Sequence, residues 1–457
     1  MIKDHVDLKK KIKTIAPIAL FIAVIAVAVV LTRLGSSETD NLIPEEITPD
    51  VQATPEATLG TQDNGLDSTS DTNETEAQEA SNQNDPEAPE PFKIISATEL
   101  VADIRIGWSL GNTLDAHGNP EGFAHLGDGL YANTTVTEME TGWGRPVTTI
   151  EHFNAIKEAG FNAIRIPVTW YKACDADLNI REDWMERVKE VVDYAVANDV
   201  YILLNSHHDN ILFGILDSEI EESIIAMEKL WEQIAVTFRD YNEKLVFQGL
   251  GEPRTAGSPA EWRGGTPEEQ NNLNRLNQVF VDTVRNTGGN NAERVLLIPT
   301  YAASANEVAQ RALVMPEDTV DDRLVVSLHF YEPWAFALRT GEGTVDTWSI
   351  DNTDDTRPIM RLVDLAYDVF VSKGIPVIIS EMGAINRDNL EARVAWAEFY
   401  TSYAKSKGMP CIWWDNGSYW VLRQREWGWE QTFGLLDREN IVIAHPEIVE
   451  ALLRATQ

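Results

Sequence analysis

The chain has 457 residues, 43% of them hydrophobic, with 14 Trp and a formal net charge of −36. That charge excludes nucleic acid and anionic membrane surfaces as partners. Two cysteines, Cys174 and Cys411, make neither a disulfide framework nor a metal cluster.

Residues 1–14 are basic, with Lys9-Lys-Lys-Ile-Lys13, and Ile15 to Leu31 follow as an apolar run interrupted only by Pro17. A basic flank before an apolar run reads as an export signal with its N-terminus inside. Residues 15–32 are therefore expected to be a signal anchor in the membrane or a signal peptide, with 1–14 a cytoplasmic tail. Seventeen residues is short for a span, since ~20 cross the hydrocarbon core; Ala26-Val-Ala28 offers a cleavage site. Either outcome places the rest of the chain outside the cell, tethered or secreted.

Residues 33–91 are rich in Ser, Thr, Glu, Asp, Pro and Asn, and 35–91 hold 15 acidic residues with no Lys or Arg. Such a segment buries too little apolar surface to offset chain entropy. It is expected to be a disordered, self-repelling linker. From Phe92 to Gln457 the composition is globular without a second linker, so one domain is expected, as a monomer. It remains acidic, at net −25, which favours a neutral polar substrate over an anionic one.

Within 92–457, short apolar strands alternate with amphipathic helices. The expected strands are 104–110, 162–167, 200–206, 245–249, 295–299, 324–329, 376–380 and 411–414. Between them run patterns such as Asp183 to Ala195, whose apolar residues recur at three and four. Eight such units point to a (β/α)8 TIM barrel, and near-continuous apolar strands fit a parallel sheet covered on both faces. A doubly wound open sheet is the alternative. It is disfavoured because Gly107-Trp-Ser-Leu-Gly111 lacks the third glycine of a phosphate loop.

Barrel enzymes carry their chemistry at the C-terminal ends of the strands, and unusual polar residues collect there. The second strand carries Arg165 and the third leads to His207, His208 and Asp209. The fourth leads to Glu252, the sixth to His329 and Tyr331, the seventh to Glu381, and the eighth ends Trp413-Trp414-Asp415-Asn416. His207 and His208, read as strand neighbours, point in different directions and make a poor chelate. No His-Glu-x-x-His helix is present. Neither metal nor cofactor is expected. Glu252 and Glu381, each just past an apolar strand, form a candidate pair for glycoside hydrolysis, one a proton donor and the other a nucleophile or base. Trp108, Trp143, Trp170, Trp334 and Trp414 are candidate faces for sugar stacking.

The ordered set of motifs resembles glycoside hydrolase family 5, in its cellulase-type endoglucanase branch, over about residues 97–455. The motifs are Gly107-Trp-Ser-Leu-Gly-Asn-Thr-Leu-Asp115, Trp143-Gly-Arg-Pro146, Ile164-Arg-Ile-Pro167, Asn205-Ser-His-His208, Gly251-Glu-Pro-Arg254, His329-Phe-Tyr331, Ser380-Glu-Met-Gly383 and Trp413-Trp-Asp-Asn-Gly417. The resemblance implies a retaining endo-β-1,4-glucanase acting on β-glucan. It makes Glu252 the acid/base and Glu381 the nucleophile, with Tyr331 and Arg165 contacting Glu381 and His329 bonding near Glu252. His207, His208, Trp414, Trp334 and Asn112 are implied sugar contacts, with Trp413 an alternative to Trp414. The implied backbone extends to xyloglucan, xylan, mannan and mixed-linkage glucan. One position departs: Gly251 stands where the family usually has Asn, whose side chain bonds the sugar's 2-hydroxyl. An impaired glycan-binding relative is the alternative that Gly251 raises. Ser109 and Met382 are milder departures.

Overall fold

The computed structural model describes residues 92–117, 134–425 and 428–457. The expected tail, anchor and linker, residues 1–91, lie outside the described residues. Among the described residues no helix is long and apolar enough to cross a membrane.

Eight parallel strands close into a barrel in chain order: β1 Ile106–Leu110, β2 Ala163–Val168, β3 Tyr201–Ser206, β4 Leu245–Gln248, β5 Leu296–Ser304, β6 Leu324–His329, β7 Val377–Met382 and β8 Cys411–Asp415. Closure is made by β1 and β8, which pair from Ile106↔Cys411 to Leu110↔Asp415. The doubly wound alternative is thereby overturned.

Helices cover the outside because their apolar stripes match the outward strand positions. Helix Glu182–Ala197 buries Trp184, Val188, Val191, Val192 and Ala195, a spacing of three and four that makes one face. Helix Pro267–Asn286 starts where Thr266 caps it. The Thr266 side chain accepts from the Glu269 N–H, Glu269 reaches back, and Pro267 occupies the first turn.

The barrel interior changes character along its axis, and period-two alternation explains how. At the N-terminal end Ala163, Leu203, Val246, Leu297, Val325, Ile378 and Ile412 form an apolar layer, sealed by Ala97, Leu100 and Val101 of the short helix Ala97–Asp103 and by Ile104, which follows it. Two residues further along the same strands, and so on the same inward face, stand Arg165, Asn205, Gln248, Ser327, Ser380 and Trp414. The core thus hands over from apolar to polar within one pleat.

Two strands differ from expectation. β5 runs to Ser304, past Pro299, with a register shift between Pro299 and Ser304. Ala302 and Ala303 there adopt positive φ, which a proline-stop rule does not anticipate. β7 runs to Met382, so Glu381 lies inside a strand, paired with His329 across a register shift that follows Leu328. Its carboxylate is aimed by the sheet and not by a loop.

The end of β8 is tied down by one buried carboxylate. Asp415 Oδ2 accepts from Trp108 Nε1 at 2.9 Å, Leu435 N at 2.7 Å and Leu436 N at 3.1 Å. Its Oδ1 accepts from Gly417 N at 2.7 Å and from Arg438 at 3.0 Å. Removing one partner of such a pair strands a buried charge. Asp415→Ala is expected to lower the unfolding free energy by about 3–5 kcal/mol, measured by denaturant titration of 92–457.

Candidate active site

Glu381 and Glu252 face each other across the mouth of the barrel. One oxygen of each lies within 4.8 Å of the other, with His329 completing the group. Glu381 Oε1 accepts from Arg165 at 2.6 Å, and its Oε2 accepts from the Tyr331 hydroxyl at 3.0 Å. His329 Nδ1 lies 3.0 Å from Glu252 Oε1 and 3.4 Å from Glu381 Oε2, so one imidazole nitrogen spans both carboxylates. Arg165 is wholly buried, and Glu381 nearly so.

The polar layer beneath aims these groups. Arg165 Nε donates to Gln248 Oε1 at 2.9 Å, and Gln248 Nε2 donates to Ser327 Oγ at 3.0 Å. Ser327 Oγ lies 2.6 Å from Ser380 Oγ. Charge-assisted bonds of this kind gain strength away from water. Sequence reasoning did not single out Gln248, Ser327 or Ser380. The available signal was their inward parity: Gln248 is two residues beyond Val246, and Ser327 is two beyond Val325.

His207 and His208 correct one expectation. β3 ends at Ser206, so the two residues lie beyond the alternating strand, and their rings sit 4.3 Å apart in a T-shape. His207 is fixed on three sides. Asn205 Nδ2 approaches its Nδ1 at 3.3 Å and an Arg165 nitrogen approaches it at 3.5 Å. Its ring stacks on Trp414 with centroids 5.4 Å apart and planes 19° apart. Two donors at Nδ1 leave the ring proton on Nε2. Burial, followed by the charges of His208 and Arg165, holds His207 well below its usual pKa, so it stands neutral. With Asp115, whose Oδ2 is 4.0 Å from His208 Nε2, the two histidines form a group able to hold a metal ion. Glu252, His329 and Glu381 come equally close, but their facing atoms are already engaged with one another and with Arg165 and Tyr331, so they are not read as metal ligands.

Tyr331 is pushed well above the ordinary phenol range by burial and then by the charges of Glu381 and Glu252, so it remains a hydroxyl donor. For Glu252 burial acts upward. The His329 hydrogen bond and the charges of His329 and Arg254 outweigh it, leaving the carboxyl below its usual value.

The tryptophans separate cleanly. Trp413 is wholly buried, edge-on to Trp396, with its Nε1 donating to Phe433 O at 2.8 Å. Trp414, the alternating neighbour, faces the site. Gly111 makes this possible, since a Cβ there would lie 2.7 Å from the Trp414 ring. Trp108 and Trp170 are fully buried and do not offer faces for stacking: Trp108 holds Asp415, and Trp170 Nε1 donates to Asn205 O at 3.4 Å. Trp143 packs near His208, at 5.6 Å between centroids. Trp334 is half exposed, with Arg339 over its ring at 4.9 Å. Asn112 is half-buried in the turn after β1, in the left-handed region at φ 63.

Gly251 packs against His207. A Cβ at this position would start 3.0 Å from His207 Nδ1 and from its carbonyl oxygen, and 3.2 Å from its Cα. Two of those three atoms are backbone. A side chain at 251 and the observed placement of His207 therefore compete for the same space.

Comparison with known proteins gives one consistent answer. The model of the cellulase family, glycosyl hydrolase family 5, matches residues 119–419. Endoglucanase A of Clostridium longisporum is 39% identical over 361 residues, covering 79% of this chain and 66% of that protein. Endoglucanase B of Neocallimastix patriciarum is 42% identical over 365 residues, covering 79% and 72%. The chain thus spans about two thirds of the length of these relatives. Among solved structures, a broad-specificity endoglucanase of the same family from Ruminococcus champanellensis, with bound cellotriose, superposes with a TM-score of 0.73. It is 39% identical, and the match covers 79% of this chain and 99% of that one.

The polar layer makes a direct prediction. Gln248→Met removes the partner of both Arg165 and Ser327 while keeping the side-chain volume. It is expected to cost about 1–3 kcal/mol for each buried group left unpaired, read from the denaturant midpoint.

Proposed function

The chain belongs to glycosyl hydrolase family 5, and from that membership we propose that residues 92–457 form a retaining endo-β-1,4-glucanase. The observation that carries the proposal is the carboxylate pair, with one oxygen of each glutamate within 4.8 Å. Retaining enzymes hold the pair ~5–5.5 Å apart, whereas inverting enzymes need ~6.5–9.5 Å to admit a water.

In this reading Glu381 is the nucleophile. Its bonds to Arg165 and Tyr331 hold and aim it. It attacks the anomeric carbon while Glu252 gives its proton to the departing glycosidic oxygen. A glycosyl ester on Glu381 results. Glu252, now a carboxylate, takes a proton from water, which attacks the same carbon from the face the leaving group vacated and displaces Glu381 as a carboxylate. Two inversions give net retention. His329, joined to Glu252 at 3.0 Å, orients the acid/base. His207 offers its Nε2–H to a sugar hydroxyl, and Trp414 presents a flat indole beneath the ring. His208, Asn112 and Trp334 are read as further sugar contacts along the cleft.

The substrate class follows from the acidic, aromatic-lined site, which suits a neutral polysaccharide. The broad specificity named for the Ruminococcus champanellensis protein supports a reading that extends to xyloglucan, xylan, mannan and mixed-linkage glucan. The second reading, an impaired glycan-binding protein, rests on Gly251. A glycine there supplies no side-chain donor, a loss of the size that removal of one transition-state donor produces, ~10²-fold in kcat. We also propose that residues 1–32 anchor or export the enzyme and that 33–91 act as its tether, a reading supported by the basic and apolar runs and by the acidic linker composition.

Purified 92–457 is expected to release reducing ends from soluble β-glucan, with the β-anomer appearing first by proton NMR. Glu381→Gln is expected to abolish release. Glu252→Ala is expected to lower kcat/KM on poor leaving groups by ~10²–10⁴-fold, and azide is expected to raise kcat on an activated dinitrophenyl substrate by opening the glycosyl ester in place of water. An α-anomer as first product contradicts the mechanism. No release from any of these polysaccharides favours the impaired binder.

A further inference from the structure

The loop after Glu252 closes on itself around Arg254. One terminal guanidinium nitrogen of Arg254 donates to the Glu252 carbonyl at 3.0 Å and to Glu252 Oε2 at 3.1 Å. Its Nε donates to Glu261 Oε1 at 3.1 Å, and the other oxygen of Glu261 accepts from Gly257 N at 2.7 Å. The guanidinium lies over the Trp262 ring at 4.6 Å. Arg254 is thus held by a carboxylate, a carbonyl and an indole face, all from residues 252–262, and it turns its remaining contact onto Glu252. The two oxygens of Glu252 are divided: Oε1 faces His329 and Oε2 faces Arg254.

We propose that Arg254 is a positioning residue for the acid/base, fixing the orientation of Glu252 through Oε2 and setting the alkaline limit of the reaction. The proposal rests on the reading of Glu252 as acid/base. The groups facing Glu252 are His329 from β6, Glu381 from β7, Tyr331 just after β6, His208 just after β3, and Arg254 from its own loop, with Glu261 behind Arg254. Glu381 opposes ionisation of Glu252 and Arg254 favours it. Glu252 and Arg254 are 26% and 20% exposed, so solvent screens the pair without removing it.

The sign is determined. A carboxyl beside a fixed cation loses its proton at lower pH, and an acid catalyst is active while it holds that proton. Removing the cation therefore extends activity to higher pH. The alkaline limb of kcat/KM reports the free enzyme, so it is the quantity to measure. Two aryl β-cellobiosides separate the effect from general damage, because a phenyl leaving group needs protonation and a dinitrophenyl leaving group does not.

The experiment compares Arg254→Gln, Arg254→Met and Arg254→Lys with the natural enzyme, all in 92–457. With the phenyl substrate, Arg254→Gln and Arg254→Met are expected to move the alkaline limb upward by at least half a pH unit, about a threefold gain in kcat/KM along that limb. Arg254→Lys, which keeps the charge, is expected to leave the limb near its original place. With the dinitrophenyl substrate, no variant is expected to show a comparable shift. Equal losses for all three variants with an unmoved limb overturn the proposal. Should Arg254→Gln fail to fold, Arg254→Met, which keeps an unbranched side chain over Trp262, carries the same test. The Glu252 reading fails separately: the phenyl and dinitrophenyl substrates are then slowed alike by Glu252→Ala, and azide restores neither.

Discussion

The buried ion pair between Arg165 and Glu381, 2.6 Å long, is the contact on which the rest of the site depends. A carboxyl group this deep needs a charged partner and occupied lone pairs to offset its burial. Arg165 supplies the charge, and Tyr331 occupies the second oxygen. Arg165 is itself a buried cation, and Gln248 occupies its Nε. The demand for partners spreads outward through Ser327 and Ser380, so that β2, β4, β6 and β7 each contribute a polar residue. The barrel answers that demand by geometry. Each strand turns every second residue inward, so one register carries an apolar floor and the next carries the polar layer.

The same economy explains the placement of the aromatic residues. Trp413 and Trp414 are adjacent, so one is core and the other is available to the site. Trp108 looked equally available from its motif. Its partner, Asp415, could be found only once β1 and β8 were seen to pair. Buried carboxylates at strand ends, such as Asp415 and Asp209, organise loops and leave the reacting atoms to other residues. Asp209 accepts from Trp170 N, Tyr171 N and Ser206 Oγ, which holds the turn that carries His207 and His208.

Much of the fold was legible because strand and helix signals are local. Eight apolar runs, separated by helical patterns, specify a barrel without any knowledge of contacts. The catalytic candidates were legible because glutamate, histidine and arginine are rare at the ends of apolar strands. Three kinds of information were hidden. Residues such as Gln248 and Ser327 carry no chemical signature and gain a role only through neighbours 79 residues apart. The convergence of His207 and His208 was hidden although the expected end of β3, Ser206, is the observed one: both residues lie in the turn beyond the strand, where period-two alternation no longer sets their directions. Arg254 stood in a quoted motif, yet only the folded loop shows it bonded to the side chain two residues before it. Gly251 was visible as a departure, while the packing of His207 against it was not.

The central claim is that Glu381 is the nucleophile of a double displacement. Its most direct test is covalent trapping. A 2-deoxy-2-fluoro cellobioside with an activated leaving group slows the second step more than the first, so the glycosyl-enzyme accumulates and can be digested and sequenced by mass spectrometry. The account predicts one cellobiosyl label per chain, on the peptide that contains Glu381 and on that side chain. A label on Glu252 or on any other residue contradicts it, and so does turnover of the probe with no covalent species formed.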